Sequence, residues 1–197
     1  GTGNSTVTIS DGTTDKIKNI QNIIGGAGAD TIIGNSQNNS LVGGAGNDII
    51  KGVAGDNQLL GGAGNDTIYS GTGNDFIDGG EDNDTVNFES ASGGITLDLN
   101  TTTAQIIGGG MEQDTIINVE NVIGSSHDDS ITGNSGINTI IGGAGDDKFV
   151  ATKGSDTYYG GTFDGTTHTL ASVEYNRVDY SNASKGYVDL SDTKTDV

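Results

Sequence analysis

Aspartate or asparagine stands at every ninth residue from Asp30 to Asp84, at Asp30, Asn39, Asp48, Asn57, Asp66, Asp75 and Asp84. Oxygens repeated at a fixed period suit a hard cation that gathers many oxygen ligands. Within residues 25–87 nine acids face a single base, Lys51, so the chain cannot neutralise them by ion pairing. Catalysis has no comparable pattern. His127 and His168 are the only histidines, and neither has a plausible spacing from a nucleophile. The absence of cysteine removes disulfides and thiolate metal sites. The many Ser and Thr residues suit the surfaces of strands. No catalytic residue is assigned, and the segment is read as a non-enzyme.

The elements that must position these oxygens follow from the same period. From Gly25 to Asn87 the chain divides into seven nonapeptides without insertion: GGAGADTII, GNSQNNSLV, GGAGNDIIK, GVAGDNQLL, GGAGNDTIY, SGTGNDFID and GGEDNDTVN. Position 6 is Asp or Asn throughout. Position 8 is aliphatic throughout: Ile32, Leu41, Ile50, Leu59, Ile68, Ile77 and Val86. A second block starts at Gly124 with GSSHDDSIT, GNSGINTII, GGAGDDKFV and ATKGSDTYY, which put Ile131, Ile140, Phe149 and Tyr158 at position 8. Positions 7 to 9 predict a short strand whose middle side chain points inward. The other six residues predict a tight turn, in which glycine supplies backbone angles that other residues resist. Two strands and two turns make a coil of 18 residues. Coils stack because none can bury its aliphatic layer alone. The expected fold is all-β, a parallel β-roll of two blocks joined by a β linker.

Composition demands such a device. The 197 residues carry 27 acids against 8 bases, a net charge of −19, with 31% hydrophobic residues, 35 glycines and no proline or tryptophan. Low hydrophobicity with high net charge ordinarily gives disorder. A strong period overturns that expectation if something neutralises the acids. The acidity disfavours nucleic acid and anionic membrane as partners, and no apolar run reaches membrane-spanning length. The start at Gly1-Thr2-Gly3 suggests a segment of a larger protein.

The motif GGxGxDxUx, with U a large apolar residue, resembles the calcium-binding repeat of the repeats-in-toxin (hemolysin-type) family. Gly25–Ile33, Gly43–Lys51 and Gly61–Tyr69 match it without a flaw. The resemblance implies several calcium ions, each between turns one coil apart, held by turn carbonyls and position-6 aspartates. Alternate repeats turn on opposite edges, so Asp30, Asp48, Asp66 and Asp84 share a first edge, and Asn39, Asn57 and Asp75 a second. Carboxylates stacked one coil apart would repel without a cation between them. Three ions are expected on the first edge. The implied ligands there are Gly26, Gly28 and Asp30, then Gly43, Gly44, Ala45, Gly46, Asn47 and Asp48, then Gly61, Gly62, Ala63, Gly64, Asn65 and Asp66, and finally Gly79, Glu81, Asn83 and Asp84. On the second edge only Asp75 carries the charge, so Asp75 is the one metal ligand expected there and the Asn39 and Asn57 turns are expected to hold weak sites or none. In the second block one ion is expected between the turns at Gly124 and Gly142, from Asp129, Gly142, Ala144, Asp146 and Asp147.

A longer repeat surrounds the short one. Asp15, Ile17, Asn19, Asn22, Ile24 and Gly25 recur as Asp114, Ile116, Asn118, Asn121, Ile123 and Gly124. Val86, Phe88, Ala91, Ser92 and Gly94 recur as Val178, Tyr180, Ala183, Ser184 and Gly186. The expected organisation is edge strands over 1–24, a roll over 25–87, connecting strands and a projecting loop over 88–123 without calcium, a second roll over 124–168, and a truncated connecting segment over 169–197. The loop is placed near Thr101–Gln113. The resemblance implies a secreted or surface bacterial protein exported through a type I channel. The favoured function is a calcium-dependent folding, spacer and stabilising module of an adhesin, unfolded in the cytosol and packed against neighbouring modules of its own chain. The alternatives are a module of a surface-layer protein or of a secreted protease, lipase or epimerase.

Overall fold

The computed structural model describes residues 4–8, 14–18, 20–163, 168–169 and 177–179, all as strands and turns without a helix. The fold is a parallel β-roll. One face is a sheet in which Thr31–Ile33, Ile49–Lys51, Thr67–Tyr69, Thr85–Asn87, Asn121–Ile123, Thr139–Ile141 and Thr157–Tyr159 lie side by side in parallel. The sheet runs through both blocks. At its free end the strand Asn4–Thr8 pairs antiparallel with Thr31–Ile33 and with Thr14–Lys18, so the row ends in a hairpin and not in another parallel strand.

The opposite face of the first block stacks Asn22–Ala27, Ser40–Ala45, Gln58–Ala63 and Phe76–Glu81, also in parallel. These strands have six residues, twice the expected length, because pairing continues through the glycine turns: Gly26 bridges Gly44, and Ala27 bridges Ala45. In the second block that face holds Thr96–Asp98, Ser130–Thr132, Lys148–Val150 and Arg177–Asp179.

The aliphatic layer lies where position 8 puts it. Ile32, Leu41, Ile50, Leu59, Ile68, Ile77, Val86, Ile131 and Ile140 are fully enclosed. Each contributes about 1.5–3 kcal/mol by leaving water. In the second block the ladder ends in aromatic rings, Phe149 stacked on Tyr158 at 5.5 Å. On the outer surface of the first sheet Lys51 sits over the Tyr69 ring, 4.2 Å from its centre.

The linker is built more tightly into the roll than its lost nonapeptide phase suggests. From Asn87 the chain crosses to Thr96–Asp98, beside the second block. It then turns back through Gln105–Ile106 to Gln113–Ile117, which pairs in parallel with Phe76–Glu81 of the first block. Ile116 thus stacks on Ile77, and Val122 on Val86, continuing the core. The linker strands have three, two and five residues, no longer than those of the roll. Much of the expected projecting loop is tucked in, because Ile107 and Met111 are apolar and join the core at 0% and 2% exposure. Thr102, Thr103 and Ala104 form its exposed tip. Of the expected segment after 168, only His168–Thr169 and Arg177–Asp179 fall within the described residues, and Val178 stacks on Phe149. Tyr180, Ala183, Ser184 and Gly186 lie outside them.

Candidate metal centres

Each first-edge turn runs from the six-residue strand of one face into the three-residue strand of the other, and ends on its position-6 aspartate. The fold stacks these aspartates in one row. The backbone N–H of Asp30 donates to Asp48 Oδ1 (2.7 Å), that of Asp48 to Asp66 Oδ1 (2.7 Å), and that of Asp66 to Asp84 Oδ1 (2.8 Å). One carboxylate oxygen therefore knits successive coils. The other, Oδ2 of Asp30, Asp48, Asp66 and Asp84, is buried and meets no donor. It points back at the glycine that opens its own turn. A Cβ on Gly43 would collide with Asp48 Oδ2 and come 2.6 Å from the Gly61 carbonyl; Gly25 and Gly61 are hemmed in the same way. A carboxylate and a carbonyl from the next coil thus converge at each turn, and only glycine leaves room for both. Gly44 and Gly46, at positions 2 and 4, have φ of 120°, a region L side chains avoid.

The donor set favours a hard cation. Among the described residues no group of three His, Cys, Asp or Glu side chains converges on one point. An ion here would be held chiefly by carbonyls, with one or two carboxylates, and calcium accepts such a mixture in irregular geometry. The ion pair seen among the described residues, Arg177 with Asp179, is far along the chain from this row. Burial pushes the carboxyls of Asp48, Asp66 and Asp84 up. Asp48 is raised, Asp66 is raised to about 6 and Asp84 to about 7, with hydrogen bonds from the preceding coil opposing the shift and neighbouring acids adding to it. Buried carboxylates in a field of their own sign are costly unless a cation joins them.

The second edge is built otherwise. Asn39 Oδ1 accepts from the Asn35 N–H (2.8 Å), and its amide nitrogen reaches Asn35 Oδ1 (3.4 Å). Asn57 Oδ1 accepts from the Asn39 N–H (2.9 Å), and its amide donates to the Gly55 carbonyl (2.8 Å). The row continues through the Asn57 N–H to Asp75 Oδ1 (2.8 Å), then through the Asp75 N–H to Asp114 Oδ1 (2.9 Å). Asp75 Oδ2 and Asp114 Oδ2 are buried without donors, and burial raises the two carboxyls to about 6 and about 7.

In the second block the acid row changes edge. Asp129 and Asp147 precede strands of the face that carries Asn39 and Asn57 in the first block, and the Asp129 N–H donates to Asp147 Oδ1 (2.9 Å). Asp129 is met from within the chain. Its Oδ2 accepts from the Ser125 N–H (2.7 Å), and its Oδ1 from the Ser125 hydroxyl (2.8 Å) and the Ile95 N–H (2.8 Å). The expected site between the turns at Gly124 and Gly142 is therefore less open to an ion than those of the first edge. His127 is exposed in the Gly124 turn beside Ser126.

Two acids of the rows were not among the residues selected from the sequence. Asp114 ends the second-edge row, and Glu120 ends the first, accepting from the Asp84 N–H at 2.9 Å. A signal existed: Gly109–Ile117 reads GGMEQDTII, a nonapeptide out of phase with the others.

A parallel stack of glycine turns, with one donorless carboxylate oxygen per coil along an edge, defines the class of cation-stabilised β-solenoids. The family model for the RTX calcium-binding nonapeptide repeat matches the chain in four copies, over residues 21–50, 51–86, 123–158 and 132–166. The chain belongs to this family, whose repeats bind calcium. A search of curated proteins finds no match.

Proposed function

We propose that this chain is a calcium-dependent folding and spacer module of a large secreted or surface bacterial protein of the adhesin kind. The observation that carries the reading is the row of first-edge aspartates, each buried with one oxygen that no donor meets. Three ions fill the gaps between the turns that open at Gly25, Gly43, Gly61 and Gly79, held by turn carbonyls and by Asp30, Asp48, Asp66 and Asp84. A further ion between Asp129 and Asp147 is held more weakly. Calcium supplies positive charge between oxygens that otherwise repel.

Without it the acids keep the chain open, as export through a narrow type I channel requires. Outside the cell, calcium closes the roll. An ion whose dissociation constant lies tenfold below ambient calcium stabilises by about 1.4 kcal/mol. Several such ions approach the net stability of a domain. The sheet that passes without a break from Thr31–Ile33 to Thr157–Tyr159 supports the spacer role, because it joins the two blocks as one rod.

Circular dichroism of the metal-stripped chain tests the reading. Little β-signal should be present before addition, and a cooperative rise should follow at millimolar calcium. Magnesium should substitute poorly, since it demands octahedral geometry and dehydrates reluctantly. Equal β-content with and without calcium would sink the proposal.

A further inference from the structure

We propose that Asp75 and Asp114 form a cation site that clamps the linker onto the first block and so makes the rod continuous only when calcium is bound. The inference rests on the calcium reading above, but uses a residue outside the matched repeats, which stop at 86 and resume at 123.

The pair repeats the first-edge arrangement across a gap of 39 residues. The Asp75 N–H donates to Asp114 Oδ1, as each first-edge N–H does to the aspartate 18 residues on. Both side chains are enclosed, Asp75 at 3% and Asp114 at 0% exposure, and both Oδ2 atoms lack a donor. The charges acting on the pair are all negative: Asp56 and Glu112 on Asp75, and Asp75 and Glu112 on Asp114. The buried Ser70 hydroxyl hydrogen-bonds the Asp114 carboxyl and the Asn57 amide that of Asp75, and each offsets only part of what burial and the neighbouring acids impose. The asparagines one and two coils earlier close their own valences, because an amide carries donors. An aspartate pair cannot do so. It needs a cation or protons, and at neutral pH with millimolar calcium outside the cell, the cation is calcium. An open groove lined by Asp56, Asn57, Asn74, Asp75, Gln113 and Thr115 reaches Asp75 from outside.

The consequence lies in the connectivity. Asp114 belongs to Gln113–Ile117, which is parallel to Phe76–Glu81. The same segment leads, three residues on, to Asn121–Ile123, the strand that joins Thr85–Asn87 to Thr139–Ile141. Holding Asp114 therefore holds the joint between the two blocks.

The test counts ions and maps protection on the whole chain. Native mass spectrometry at saturating calcium would compare the wild type with Asp114→Asn, Asp75→Asn and, as a first-edge control, Asp48→Asn. Hydrogen exchange would follow residues 105–117 against 58–69. Asp114→Asn should bind one ion fewer, and amides of 105–117 should exchange roughly tenfold faster, while those of 58–69 stay protected. Asp75→Asn should lose the same ion. An unchanged ion count in both variants would overturn the clamp. So would failure of both to fold at saturating calcium, since losing one ion among several must leave the first block standing. If the wild type itself binds no calcium, the general reading fails. If Asp48→Asn loses ions but neither Asp75→Asn nor Asp114→Asn does, only the clamp fails.

Discussion

The two edges of the first block share one backbone period and solve one electrostatic problem in two ways. Along the first, aspartate gives one oxygen to the preceding coil and leaves the other buried without a donor. Along the second, Asn57 gives the same oxygen to the preceding coil and Asn39 gives its oxygen to the Asn35 N–H of its own turn, and their amide hydrogens go to the Gly55 carbonyl and to Asn35. Replacing one oxygen by NH2 converts an acceptor that needs a cation into a donor that needs a carbonyl. The fold tolerates either. On the proposed reading, only aspartate makes folding depend on what the solvent contains. On that reading the aspartate turns respond to calcium, while the turns of Asn39 and Asn57 close their own hydrogen bonds.

The largest effect should come from Asp48→Asn, because its turn borders two proposed ions. The swap keeps size and turn propensity. The calcium midpoint for folding should rise, and the loss should be about 3 kcal/mol where calcium stands tenfold above the dissociation constant of both sites. Calcium titration calorimetry with chemical denaturation measures both.

Asn57→Asp should act in opposite senses with and without the ion. In chelator it removes the amide bond to Gly55, worth about 1 kcal/mol, and adds a charge facing Asp75. In saturating calcium it completes a carboxylate pair, so the ion count should rise by one and stability by about 1.4 kcal/mol. If Asp48→Asn and Asn57→Asp merely weaken folding alike in both conditions, the contrast between the edges is wrong.

Val53 sharpens the comparison from another side. It stands at position 2 of a second-edge turn with φ 78°, where the first edge has glycine. A β-branched residue is strained there. Val53→Gly should therefore stabilise by about 1 kcal/mol. The gain, read from denaturation midpoints at several saturating calcium levels, should not vary with calcium, since no ion is placed beside it.

The smallest signal should be that of pH on the metal-stripped chain. Asp66 and Asp75 are raised to about 6, and Asp84 and Asp114 to about 7, so the folded form holds protons that the unfolded chain has released. That stabilisation is complete below about pH 4 and is lost as pH rises through 6 to 7. Partial β-signal should therefore appear at pH 5 and fade by pH 8 without calcium. A signal that instead grows with pH would show that the carboxylates are not buried together.

Much of the roll was legible along the chain because a solenoid is nearly one-dimensional. The position-8 residues from Ile32 to Val86 are all buried, and the alternation of edges follows from counting repeats. The long strands were less legible. Glycine is a poor strand former by itself, yet Gly26, Gly44, Gly62 and Gly80 enter the sheet because each is ladder-paired to its copy one coil away.

The repeat by itself determined the class of fold, the inward ladder from Ile32 to Val86 and the rows of aspartate and asparagine, since each depends on contacts one period away. The tertiary structure alone decided how the linker closes the array. Asp114 is 39 residues from Asp75, and Glu120 is 36 from Asp84, across a segment where the period is broken. No spacing rule reaches over such a break. The outcome depends on Ile107, Met111 and Ile116 finding the same core as the repeats, which carries the strand Gln113–Ile117 back onto the first block. Hydrophobic burial is non-directional. It rewards that return without announcing it in the local sequence, and the return brings the last carboxylates to the ends of both rows.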